Sequence, residues 1–400
     1  APYTQDPQGV VLRTHDGGRR WTILPAATLP ALKRVSFQSP ARGWAVGLPS
    51  TMYPGGIFTT SDGGRSWLPV NGVRPAQWLC ADFRDAHSGA VAGRDGAMAV
   101  ATINGTIASR TPSIGLRAAR DLQLVGETGG WLVGDGGLVM TTEDGGLSWQ
   151  LPAAPIPTAV RQQFDLTAVA VVGSHVWAVG SPGTLALHSP DGGRHWAAHP
   201  TGQSLPLCDV HFVDAQVGYA VGSLGTILAT RDGGQSWRRQ RAGGGRAALL
   251  AIVADESSIP RELLAELAAN EGYLSVVEVV GRRDIETPSL ARAPADDRAR
   301  AATALVGGSA ARQAWDFPLR DKDLPLGALL VARGWDEAHD GRGLAALDET
   351  LVRKIRQWRP DVVLTEFGGD EKLAGAEHLI RRAVLQAVER AADSTAFPQQ

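Results

Sequence analysis

The sequence predicts two unlike folds in tandem: an all-β propeller of repeated Asp-Gly-Gly turns, incomplete at its start, and after it an α/β domain with a Rossmann-like parallel sheet. Three observations carry this. An octapeptide ending in Trp recurs along the first part of the chain. The runs around it are short, apolar and separated by glycines, as in an all-β array. Beyond Arg246 the octapeptide stops, and Ala-, Leu-, Arg- and Glu-rich runs alternate between strand and helix patterns.

The octapeptide reads "THDGGRRW" (14–21), "TSDGGRSW" (60–67), "TEDGGLSW" (142–149), "SPDGGRHW" (189–196) and "TRDGGQSW" (230–237). Successive tryptophans lie 46, 82, 47 and 41 residues apart, so a degenerate copy belongs in the second gap, at "GRDGAMAVATINGT", Gly93 to Thr106. A period in the forties denotes a solenoid, propeller or array. Each aspartate, Asp16, Asp62, Asp144, Asp191 and Asp232, accepts backbone amides and fixes a tight turn. The Gly pair supplies the positive φ that the turn requires. The tryptophans, Trp21, Trp67, Trp149, Trp196 and Trp237, bury apolar surface between units. These are structural roles, since a catalytic aspartate has no use for five copies.

Around each octapeptide stand two runs of the type "GYAVGSLGTILAT", and Phe37, Phe83 and Phe212 mark a further strand upstream. Four strands per unit make a propeller blade. These repeats resemble Asp boxes (BNR repeats), and the longer pattern resembles the propeller of the photosystem II stability and assembly factor family, over about residues 1–240. That resemblance implies a role in assembling a membrane complex. Asp boxes also occur in sialidases, but no Arg triad, Tyr nucleophile and catalytic Asp can be assigned here. The resembled family has seven blades, whereas this chain opens with a lone hairpin and continues with five fuller units. It is therefore expected to begin inside a propeller and to be a segment of a longer protein.

The formal net charge of −2 gives no global field for nucleic acid. Arg238, Arg239, Arg241 and Arg246 cluster after the last Trp, as a solvated linker or a dock for an acidic partner. The longest apolar run, "AALLAIVA" (247–254), is too short to span a membrane. Ala1 opens no recognisable signal peptide; a soluble segment is expected, exported if a signal precedes it. Cys80 and Cys208 fall on blades set apart by the propeller, so no disulfide is expected between them.

The Gly/Arg-rich stretch 241–246 separates the propeller (1–240) from the second domain (247–400). "ALLAIVAD" reads as a buried parallel strand and "IPRELLAELAANEG" as a helix stopped by Gly272. Strand "YLSVVEVVGRRD", helix "ADDRARAATALVGG", strand "ARQAWDFPL", helix "LDETLVRKIRQWRP", strand "DVVLTEF" and helix "AEHLIRRAVLQAVERAAD" follow. Ligands of such sheets sit beyond the carboxyl ends of strands. This directs attention to "ADESS" (254–258), "GRRD" (281–284) and "TEFGGDEKLAGAEH" (365–378).

The arrangement resembles the LmbE-like (PIG-L) N-acetylglucosaminyl deacetylases, best in "IRQWRPDVVLT" (355–365). That resemblance places Asp255 where the family has a zinc-binding His, Ser257 at the general base and Ser258 at the ligand Asp, with His378 as the last ligand. Ser is a weak ligand and zinc catalysis needs three protein ligands, so the metal candidates Asp255, Ser258 and His378 are incomplete and zinc is expected only if an altered site exists. Asp255 and Glu256 otherwise form a strand-end turn and cap. Arg282, Arg283 and Asp284 bind an anion at the crevice or form salt bridges at its rim. The polar segment 321–350, with Trp335, Asp336, Glu337, His339, Asp340 and Arg342, reads as a surface insertion. The family fold continues past "AADSTAFPQQ", so truncation is expected at this end too.

Two functions follow. The first is a binding or scaffolding protein whose propeller recognises a protein partner. The alternative is a metal-dependent N-acetyl sugar deacetylase whose propeller recognises a glycan; in that case Asp255, Glu256 and His378 converge on a metal.

Overall fold

The computed structural model describes residues 9–24, 29–241, 246–283, 294–319, 327–366 and 375–397. Asp284 and the segments 242–245, 320–326 and 367–374 lie outside the described residues. The first part is a hairpin, Leu12–Arg13 with Thr22–Ile23, followed by five antiparallel sheets set as propeller blades. Blade one comprises Leu32–Phe37, Gly43–Gly47, Ile57–Thr60 and Leu68–Pro69. Blade two comprises Trp78–Phe83, Ser88–Gly93, Met98–Thr102 and Gly105–Ala108; its last turn is the degenerate repeat, shortened to a tight connection at Ile103 and Asn104. Blade three has three strands, Ala119–Val125, Gly129–Gly134 and Leu138–Thr142. Blades four (Asp165–Val172, His175–Ser181, Leu185–Ser189, Ala197–Pro200) and five (Leu207–Phe212, Gly218–Gly222, Ile227–Thr230, Arg238–Arg241) complete the series.

The first strand of each blade packs on the first strand of the next, and one apolar cluster fills each gap between neighbours. Two aromatic positions build these clusters. Trp44 and Trp177, on second strands, stack on Phe83 and Phe212 of the following blade at 4.5 and 3.6 Å between ring centres. Their indole N–H groups reach Asp85 O (3.1 Å) and Gly233 O (2.7 Å), also in the following blade. The box tryptophans fill the gap on the other side: Trp149 is 2% exposed between blades two and three. Trp21 has no described blade on that side and is 58% exposed.

The Arg238–Arg241 run, read from sequence as a linker or dock, is the exposed outer strand of blade five. The linker reading failed because the strand's fourth position in the blade is set by pairing with Ile227–Thr230, not by its own composition. Arg246 pairs with Asp361 at 2.9 Å.

The second part is a four-stranded parallel sheet in the order Ala310–Gln313, Ser275–Val279, Leu249–Val253, Val362–Leu364. Leu249–Val253 and Ser275–Val279 are wholly buried, as expected of apolar runs without alternation in a sheet covered on both faces. Helices Ala328–Ala338, Gly343–Trp358 and Gly375–Ala392 cover one face. Arg261–Leu264, its π-helical continuation Ala265–Asn270, and Ala295–Leu305 cover the other. The segment 321–350 is no surface insertion: Ala328–Ala338 is a core helix, and Trp335, fully buried, packs edge-on to Phe317 and donates to Pro318 O at 3.0 Å. The charged residues flanking Trp335 hid its apolar helix face from a composition reading.

Candidate functional site

The Asp boxes repeat one bonding pattern. In each, the leading hydroxyl of Thr14, Thr60, Thr142, Ser189 or Thr230 accepts the N–H of the second glycine, at 3.0, 2.9, 2.9, 2.8 and 2.9 Å. Each aspartate Oδ1 accepts the N–H four residues on: Asp16 from Arg20, Asp62 from Ser66, Asp144 from Ser148, Asp191 from His195 and Asp232 from Ser236, all between 2.7 and 2.9 Å. The glycines of the third box stand at φ of +75° and +92°, which a side chain would resist. Hydrogen bonds from Ser66 and Ser236, through side chain and then backbone, hold Asp62 and Asp232 down to about 2. The role of the leading hydroxyl was missed from sequence, although its recurrence at the first position of the octapeptide was the available signal.

At the carboxyl ends of the parallel strands, Asp255 is buried; its Oδ1 accepts from Ser257 N at 2.7 Å and from Ser257 Oγ, and its Oδ2 pairs with Arg283. Glu256 pairs with Arg298. Ser258 N–H is bound to Asp255 O at 3.2 Å in a short 3-10 turn. His378 lies in the first turn of Gly375–Ala392. Among the described residues no group of three His, Cys, Asp or Glu side chains is placed to hold a metal. The donor set does not suit zinc: its one buried carboxylate already carries a guanidinium and a turn. Glu366, a residue sequence reading did not single out, reaches in from the last strand and accepts Ala254 N at 2.6 Å. Burial raises its carboxyl above the ordinary range, Ala254 N–H opposes that, and Glu377 and Asp255 add to the rise.

Arg282 faces the propeller. It is 1% exposed and donates to Leu116 O at 2.8 Å and to Asp95 at 3.0 Å. It is one of several ties between the two parts. Asp296, at the start of helix Ala295–Leu305, enters the propeller face and meets Arg94 at 2.5 Å and Arg120 at 3.5 Å, while Lys33 binds Asp297 at 2.6 Å. Burial opposes the charge of Asp296, but Arg94, Arg120, Arg300 and Lys33 outweigh it and hold the carboxyl well below its ordinary range. Trp315 donates to Asp165 at 2.8 Å, and Ser181 and Ser204 bind Gln357 at 2.9 and 3.0 Å.

Between the two parts lies a cavity of about 690 Å³, within the size range of ligand pockets. Its propeller wall has an origin that repeats with the blades. Every first strand carries a β-bulge at the same place, between Leu32 and Arg34, Trp78 and Cys80, Ala119 and Asp121, Leu166 and Ala168, and Leu207 and Asp209. The skipped residues, Lys33, Leu79, Arg120, Thr167 and Cys208, all line the cavity. A bulge re-aims a side chain out of the alternating pattern, and here five repeats aim one each at a common space. Both Cys208 and the buried Cys80 are free thiols. The opposite wall comprises helix Ala295–Leu305, the open edge of Ala310–Gln313, Trp315 and Lys354.

Three carboxylates line this space, and each is already bound. Asp135 takes Arg120 through two bonds (2.6 and 3.0 Å), Asp165 takes Gly136 N and Trp315, and Asp296 takes the arginines. Of the five basic side chains, Lys33, Arg120, Arg300 and Lys354 have carboxylate partners. The Arg312 side chain has no hydrogen bond or ion pair among the described residues.

Residues 115–207, blades three and four with their flanks, match the family model described as photosynthesis system II assembly factor YCF48. A 160-residue stretch is 28% identical to the photosystem II assembly lipoprotein Ycf48 of Synechococcus sp. (strain CC9902), over 39% of this chain and 42% of that protein. A 114-residue stretch is 29% identical to the chloroplastic photosystem II stability/assembly factor HCF136 of Arabidopsis thaliana, over 27% of each. The chain thus spans less than half the length of these curated relatives. Among solved structures, YCF48 from Cyanidioschyzon merolae gives a TM-score of 0.46 at 18% identity, over 60% of this chain and 81% of that one. YCF48 bound to D1 peptide gives 0.38 at 18% identity, over 60% and 87%. In its propeller, the chain resembles the Ycf48 and HCF136 assembly factors.

Proposed function

We propose that this chain is a binding and scaffolding protein: the propeller recognises a protein partner, and residues 247–400 form an LmbE-like domain that serves as a docked cap without zinc hydrolase chemistry. The observation that carries the reading is the match of residues 115–207 to an assembly-factor model. The state of Asp255, bound to Arg283 and Ser257 where that resemblance puts a zinc ligand, supports the second half. A zinc hydrolase on that plan would need the ligand position free for the metal, whereas here the Asp255 carboxylate is taken up by Arg283 and Ser257.

The D1 peptide named for one solved relative is the first partner to titrate. Saturable binding in a calorimetric titration of the full chain supports an assembly-type partner; no binding rejects that partner class. Elemental analysis of zinc after metal loading, with His378→Ala as control, tests the other half. About one zinc per chain, lost in the variant, overturns the cap reading.

A further inference from the structure

We infer that the cavity between the propeller and the α/β domain is a binding site for a small organic carboxylate, held by Arg312 and bordered by the row of bulged residues. This goes beyond the scaffolding reading and stands or falls apart from it.

The argument rests on what the protein's own bonds leave unspent. The lining carboxylates are satisfied by arginines, backbone N–H groups or an indole, so the cavity has no free demand for a cation. Its spare capacity includes the Arg312 guanidinium, the one basic side chain of the lining without a partner among the described residues, beside the unpartnered Gln313 Oε1 and Thr303 Oγ1. Arg312 is half-buried, carries five N–H donors in a fork that matches a carboxylate, and has no partner among the described residues. It sits on Ala310–Gln313, the edge strand of the sheet, which pairs on one side only. Ala314 N–H donates to Val279 O at 2.8 Å, so strand alternation turns the N–H groups of Ala310 and Arg312 toward Ser275–Val279 and leaves those of Ala311 and Gln313 on the open edge, on either side of Arg312. A guanidinium and a neighbouring backbone N–H form a two-sided cradle for one carboxylate. Trp315, with Arg117 over its ring at 5.9 Å from the centre, lines the same cavity.

Position and size favour a small molecule over a chain. The cavity lies between docked parts, where ligand sites concentrate, and its volume accommodates a ligand of amino-acid to drug-like size. The bulge ring gives the site a reason to recur in the fold: five blades each direct one side chain inward, differing in chemistry from Lys33 to Leu79 to Thr167, which is how a shared frame acquires a specific pocket.

The test is calorimetric titration of succinate and of L-glutamate into the full 400-residue chain at low ionic strength. The expected result is one site with Kd at or below about 1 mM for at least one of them. Arg312→Gln and Arg312→Ala weaken it at least about tenfold, because a charge-assisted bidentate pair is lost. Leu79→Trp, which fills the cavity from the propeller side, weakens it as well. Since the Arg312 side chain bonds to no described residue, its replacement leaves the fold's own bonds in place, and an unchanged melting midpoint verifies that. Absence of binding by both acids up to about 10 mM, or a Kd that Arg312→Gln leaves unchanged, overturns the inference.

Discussion

The Asp box is a circuit of short-range bonds, and Thr142 is the residue whose loss exposes it. Thr142 is buried, and its Oγ1 accepts the N–H of the buried Gly146 at 2.9 Å while donating to Asp144 at 2.9 Å. Thr142→Val keeps the shape and strands that N–H, so it should cost about 1–3 kcal/mol, read as a lowered urea midpoint. Its exposed neighbour Glu143, changed to Ala, should stay within about 0.5 kcal/mol. A second residue sets a pH dependence. Burial, then His175 and His199, press His188 down to about 4. With the folded value below the unfolded one, the stability it contributes is full above about 6.5 and is lost as pH falls toward 4. Melting midpoints across that window should fall with acid, and His188→Gln should flatten the slope. The box was legible in the sequence because all its bonds close within eight residues; the His175–His188 contact at 3.1 Å was not, since it joins neighbouring strands 13 residues apart.

At the level of elements, blades are joined by aromatic residues from both sides of each gap. Trp177→Ala removes a fully buried ring, its stacking on Phe212 and its bond to Gly233 O together. A large-to-small change of this kind costs about 3–5 kcal/mol. Chevron or equilibrium unfolding monitored by residual Trp fluorescence should show it, and a loss under about 1 kcal/mol would mean that the blades four and five gap can collapse around the hole. The polar residues of the first strands add a second kind of joint: Asp82 accepts Leu124 N at 2.8 Å, Asp121 accepts Val169 N at 3.0 Å, and Gln123 accepts Val171 N at 2.9 Å, each across a gap. The blades, and the α/β elements apart from helix Ala328–Ala338, could be read from periodicity and turns, although blade three has three strands where the pattern predicted four. The bulges could not, because a bulge is a mismatch between two strands and has no signature in either one alone. The Trp335 helix was misread for a similar reason: its partner Phe317 lies 18 residues upstream.

Across the whole molecule, two parts with unrelated sequence patterns share one buried electrostatic joint. Arg94 is 5% exposed and Asp296 is 7% exposed, so Asp296→Ala removes a buried carboxylate that Arg94, Arg120 and Arg300 share. Breaking such a pair costs about 3–5 kcal/mol, which falls on the docking of the parts. Calorimetry should then show two separated transitions where the parent shows overlapping ones, with each sheet's own spectrum retained. The cavity wall was invisible to sequence reading because its sides run from Lys33 to Lys354, and nothing local announces that such distant residues share a space. Asp296 has a further property as a group carried on the same chain as the arginines it binds. It is a tethered competitor, held at Arg94 and Arg120 by the fold although it lies 202 and 176 residues away along the chain. A free anion aimed at those arginines sees them only in the fraction of molecules where the tether has let go, and its apparent affinity is reduced by that fraction. Covalent linkage thus sets a threshold at those two arginines: an anion gains them only by displacing Asp296.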